Sequence, residues 1–146
     1  MAERGFFMNA AAIDRIRQEA AEMQRHFPCM KLAQSRGQRD FLPRGAVYWH
    51  GTFETNFGSR YHVFVVYPDN YPHDEVKAYV DELMGVNTPH RYMDGHLCLY
   101  ANGLGVGEGY GEETTAITIT AWTAAWLNAW ELYKRNGVWP GAEHKW

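Results

Sequence analysis

The chain has 146 residues, 46% hydrophobic and 15% aromatic, the profile of one folded domain over residues 1–146 rather than of a disordered segment. A net charge of −3 argues against nucleic acid as a partner, because phosphate neutralisation needs clustered lysine and arginine. No apolar run nears the roughly 18 residues of a membrane span, so no membrane contact is expected.

No signal peptide opens the chain, which points to a cytoplasmic protein whose two cysteines, Cys29 and Cys98, stay reduced. No Cys-x-x-Cys or His-x-x-x-His spacing offers a metal site, and no cofactor is implied.

Ile13, Ile16, Ala20, Met23 and Phe27 recur at helical spacing, predicting a helix from Asn9, a plausible N-cap, to about His26. Pro28 ends it. Arg15, Arg17, Glu19, Glu22 and Arg25 lie largely off that stripe, the arginines reading as a solvated charged face, and Cys29 reads as a buried residue after the helix. A short strand around Met30 to Ser35 and a Gly-, Arg- and Asp-rich loop from Arg36 to Gly45 follow.

Ala46 to Thr55 alternates, with Val47, Trp49, Gly51 and Phe53 on one face, as a half-buried strand does. After a turn at Asn56–Ser59, Arg60 to Tyr67 is a third strand, apolar on both faces at Val63–Val66 and hence central. Pro68-Asp-Asn-Tyr-Pro72 is a stiff loop. Val76, Ala78 and Val80 then alternate with Lys77 and Tyr79 in a fourth strand, Glu75 to about Asp81.

The chemistry-bearing stretch comes next, irregular and non-repetitive: Thr88-Pro-His-Arg-Tyr-Met-Asp-Gly-His-Leu-Cys-Leu99. It sets a thiol eight residues after His90, two after His96 and three after Gly95, in an extended apolar context. A nucleophilic cysteine needs such cationic or hydrogen-bonding neighbours, because the thiolate is the reactive form. Residues 102–111 carry a glycine at every second position from Gly103 and lack the Gly-Lys-Ser/Thr ending of a phosphate loop, so they read as a flap beside the cysteine. A helix from about Thr118 to Asn136 presents Ile119, Trp122, Trp126, Trp130 and Tyr133 to the core, with Gly137 as its stop. Trp139 to Trp146 carries aromatics on a segment too short to fold alone, docking back on this domain or onto a partner. Helix, meander and helix make an α+β layout.

In that order, and in two motifs, the chain resembles the ubiquitin-conjugating enzyme (UBC-fold) family. Tyr67-Pro-Asp-Asn-Tyr-Pro72 is similar to the Tyr-Pro loop before that family's fourth strand. Pro89, Gly95 and Leu97-Cys-Leu99 match its cysteine motif, with Thr88 in place of a histidine and His90 in place of an asparagine. The family's usual last two helices are missing, and the compact chain looks most like the stand-alone prokaryotic members of antiphage CBASS operons. That resemblance implies an acyl carrier in which Cys98 forms a thioester with the C-terminal glycine of a protein, a CD-NTase in those systems, and passes it to an amine. It also implies an activating enzyme as a possible second partner, met through the first helix.

On this reading Cys98 is the nucleophile. His90 either donates a hydrogen bond to the oxyanion or orders the loop. His96 either shares the thiol's face as a third catalytic group or is solvated. Glu108, Glu112 or Glu113 could take the amine's proton. Gly95 lets an extended tail approach the sulfur. Three rival readings are a non-catalytic binding module of the same fold, a Cys-His hydrolase, which predicts the cysteine at a helix N-terminus, and a plain structural domain with an incidental cysteine.

Overall fold

In the computed structural model, which describes residues 8–99 and 111–140, the expected order is found. Helix α1 spans Ala10–His26, strands β1 to β4 span Lys31–Gln34, Val47–Glu54, Arg60–Val66 and Lys77–Val80, and helix α2 spans Ala116–Asn136. The strands pair antiparallel in sequence order, with Trp49 opposite both Leu32 and Val65 and Val65 opposite Ala78. This is an α+β fold with two helices and a four-stranded meander among the described residues, consistent with a reduced UBC-like fold.

Local chemistry sets the ends. The Asn9 side chain accepts from the Ala12 N–H at 2.9 Å, and Gly137 closes α2 in the left-handed region at φ 76°. Both helices pack on one face of the sheet, where Trp49, Val63, Val65, Ala78 and Val80 meet Met23, Ile119, Trp126 and Leu127. Mid-β2, Gly51 leaves no room for a side chain, since a Cβ there would lie 2.6 Å from the Cys29 carbonyl oxygen. Cys29 itself is exposed and unpaired, not buried as expected, because its backbone rather than its side chain turns onto the strand.

The buried stripe of α1 also differs from expectation. Ile16 and Met23 are buried, but Ile13 is 39% exposed and Ala12 and Glu19 complete the inner face. The Glu19 carboxylate accepts from the Tyr67 hydroxyl at 2.9 Å, from the Tyr71 hydroxyl, and from the Ala116 N–H at 3.1 Å. Thr115, the N-cap residue of α2, makes no side-chain capping bond. A carboxylate from α1 therefore satisfies the first turn of α2 and its dipole. Arg15 leaves the solvated face assigned to it. It pairs with Glu19 at 3.4 Å and donates to the Tyr71 hydroxyl at 3.1 Å, the Thr114 carbonyl at 3.3 Å and the Glu112 carbonyl.

The second sheet face is covered by the segment between β1 and β2. Phe41 stacks on Tyr79 with ring centroids 4.5 Å apart, and Leu42 is buried with it among Tyr48, Phe64 and Val66. Arg39 clamps Asp81 with two bonds of 2.9 and 2.8 Å.

Helix α2 starts at Ala116, two residues before the expected position. Trp126 and Trp130 are buried and Trp122 and Tyr133 half-buried, as the aromatic stripe predicts. The helix also buries a carboxylate, Glu131. Burial opposes its charge, but the Tyr61 hydroxyl, Lys134, Ser59 and Arg135 outweigh that and hold the carboxyl at about 2. No helix among the described residues is long and apolar enough to cross a membrane.

Candidate active site

The cysteine segment lies along β4, its Leu97 N–H bonded to the Ala78 carbonyl at 2.9 Å. Leu97 and Leu99 are each 2% exposed and point into the main core, so the intervening Cys98 turns outward and is half-buried. The backbone doubles back ahead of it. Arg91 pairs antiparallel with Leu97, the Tyr92 N–H donates to the His96 carbonyl at 3.0 Å, and the Gly95 N–H to the Tyr92 carbonyl at 2.9 Å. Gly95 takes φ 95°, and a Cβ there would lie 2.5 Å from the Met84 methyl. Its freedom is used by the turn and by the close approach of Met84.

The turn brings Tyr92 over the thiol, 3.5 Å from its hydroxyl. That bond, then burial, pushes the phenol up to about 12. The thiol donates to the phenol oxygen; once the sulfur is a thiolate, the hydroxyl can rotate and donate to it.

His96 lies beneath the Tyr92 ring, stacked at 4.3 Å, and is 7% exposed, so it is not a solvated residue. Its Nδ1 meets Asp94 Oδ1 at 2.5 Å, and its buried Nε2 faces Glu75 Oε2 at 3.6 Å. Burial opposes charge on Asp94, but the His96 N–H and ring and Lys77 prevail and hold it at about 2. The stack of His96 on Tyr92 sets it beside the residue whose hydroxyl meets the thiol.

His90 meets the cysteine through its backbone. It adopts φ 56°, the left-handed region that asparagine, aspartate and histidine tolerate best among non-glycine residues. Its carbonyl accepts from the Cys98 N–H at 2.9 Å and from Trp126 Nε1 at 3.2 Å, tying the cysteine to α2. Its ring packs edge-on against Trp139, centroids 4.8 Å apart, and burial lowers its pKa.

Of the candidate proton acceptors, Glu112 pairs with His73 at 2.9 Å and Glu113 is exposed. Glu108 and the proposed flap, except Gly111, lie outside the described residues. Among the described residues no three His, Cys, Asp or Glu side chains form a metal-binding group.

The family pattern described as "Type II CBASS E2 protein" matches residues 19–146, most of the chain. The chain belongs to this family. No curated protein and no solved structure matches it.

For a type II CBASS E2 protein, with an E2-like role in antiphage defence, the site holds two residues that sequence reasoning missed. Tyr92 was hidden because its approach to Cys98 depends on the hairpin; the Asp94-Gly95 pair, a strong turn signal, could have revealed it. Trp126 was assigned to the core, and its indole N–H also grips the cysteine segment.

Proposed function

We propose that this E2 protein carries an acyl group on Cys98. The thiolate attacks the activated carbonyl carbon of a protein's C-terminal glycine and expels its leaving group, giving a thioester. An amine then attacks that carbon, loses a proton, and returns the sulfur as thiolate. Cysteine suits both halves, being a strong nucleophile and a good leaving group.

The observation that carries the reading is the outward-facing thiol of Cys98 beside the Tyr92 hydroxyl, on extended backbone, in a chain of the E2 family. Tyr92 would donate to the oxyanion at the thioester carbon. The His90 carbonyl would fix the backbone from which the sulfur projects. In a CBASS operon the carrier would be the CD-NTase, and an activating enzyme, where one is used, would load Cys98. A Cys-His hydrolase fits poorly, because Cys98 follows a hairpin instead of opening a helix.

Intact mass under non-reducing conditions tests this, after mixing the protein with a glycine-ended CD-NTase, ATP and any activating enzyme. The expected product is an adduct that hydroxylamine or DTT removes and Cys98→Ala abolishes. Equal, non-covalent carrier binding by both forms would instead make the protein a binding module.

A further inference from the structure

The tail beyond α2 meets the cysteine segment through Trp139. This residue follows the Gly137 stop, is 5% exposed, and sets its ring against Trp126 at 5.2 Å, Tyr133 at 5.9 Å and His90 at 4.8 Å. We propose that Trp139 is a positioning residue for Cys98, closing on the His90 ring so that the His90 carbonyl stays on the Cys98 and Trp126 N–H groups. The inference rests on the thioester reading above and adds a residue outside the cysteine motif to it.

The argument starts at the backbone. A non-glycine residue at φ 56° persists only where its surroundings over-determine it. Among the described residues, contacts on both sides of His90 do so. On the carbonyl side, Trp126 Nε1 and the Cys98 N–H converge on one oxygen. On the ring side, the Trp139 edge packs at 63° to the imidazole plane. Trp126 and Trp139 also touch each other, so the two grips form one cluster. Without Trp139 the ring loses its cover, the backbone can leave the left-handed region, and the Cys98 N–H loses its acceptor.

The same cover explains the lowered pKa of His90, whose cause is burial. Among the described residues its titratable neighbours are Arg91, turned toward the Val86 carbonyl, Cys98 across the backbone bond, and Tyr133 behind Trp139.

The experiment compares the wild type with Trp139→Ala and Trp139→Phe. Three quantities are read: the His90 titration by NMR, assigned with His90→Asn; the rate of Cys98 alkylation by iodoacetamide; and the rate of adduct formation with the carrier. In the alanine variant the His90 midpoint is expected to climb toward the ordinary value of about 6.5. Alkylation should change in rate, and adduct formation should slow about 10- to 100-fold, the scale of a misplaced reacting group. Phenylalanine should restore most of each. Trp139→Leu, which keeps apolar volume, replaces alanine if that variant does not fold.

A folded alanine or leucine variant with the wild-type His90 midpoint and wild-type Cys98 alkylation overturns the proposal. A wild-type chain that forms no adduct counts against the thioester reading alone, because titration and alkylation need no carrier.

Discussion

His90 and His96 stand on either side of one turn, and the fold treats them in opposite ways. His90 is held by its backbone, with a left-handed φ, a carbonyl shared by two donors, and a ring laid on tryptophan. His96 is held by its side chain, between the Asp94 and Glu75 carboxylates under the Tyr92 ring. Proximity in sequence to a cysteine therefore says little about what a histidine does. The atoms it commits elsewhere decide what it can still offer the thiol.

The contrast breaks most visibly at Tyr92, which joins His96 to the sulfur. Tyr92→Phe keeps the stack on His96 and removes the hydroxyl. Adduct formation should slow by up to about 100-fold with the urea midpoint unchanged. An unchanged rate would reduce Tyr92 to a cover for His96.

Stability separates the histidines next. His96→Leu removes a 7% exposed ring from beneath Tyr92 and from between the Asp94 and Glu75 carboxylates, and should cost about 1–2 kcal/mol in urea unfolding. His90→Asn gives up the ring contact with Trp139 but keeps the left-handed backbone, which asparagine accepts, and should lose no more than about 0.5–1.5 kcal/mol. His90→Val, which does not, should lose about 1–3 kcal/mol. Equal losses for asparagine and valine would show that the ring, not the backbone, is what the site needs.

The smallest effects are in pH. The folded pKa of His90 lies below the ordinary value, so the unfolded chain takes up that proton first. Stability should rise with pH through the window just under about 6.5, and His90→Asn should reduce that slope in part, since burial lowers the pKa of His50 as well. Asp94 works in a lower window. Its carboxyl sits at about 2 in the fold, so its contribution is present above about 3.9 and lost as pH falls toward 2. Asp94→Asn should soften that acid limb only partly. Its side chain is 45% exposed and screened by solvent, and Glu131 titrates in the same window. Either slope surviving its substitution would assign it to another group.

Much of this fold was legible in the sequence because it follows from local rules. Asn9 and Gly137 mark helix ends, and the alternation at Val47–Phe53 and Val76–Val80 marks which face meets the core. The misses have a common physical origin. Ile13 was expected inside and Glu19 outside, since periodicity ranks residues by hydrophobicity and cannot see the two tyrosines and the bare N–H that accommodate a buried carboxylate. Phe41 and Leu42 sat in a segment read as a polar loop, and nothing local reveals that it folds over a sheet face. At the candidate site the thiol and both histidines could be named from spacing. The environment of His96 could not, because the partners that bury it come together only when the hairpin closes.

The carboxylate of Glu19 also bears on how the molecule assembles. Helix α2 begins without a side-chain cap of its own, and its first N–H waits for a group some hundred residues earlier in the chain. A peptide of 111–137 alone should therefore fray at its start. Its first turn would become firm only once α1 has docked and brought Glu19 to the tyrosines of the Tyr-Pro loop. The two ends of the fold are thus obliged to form together, and the chain should lose them together in one cooperative transition.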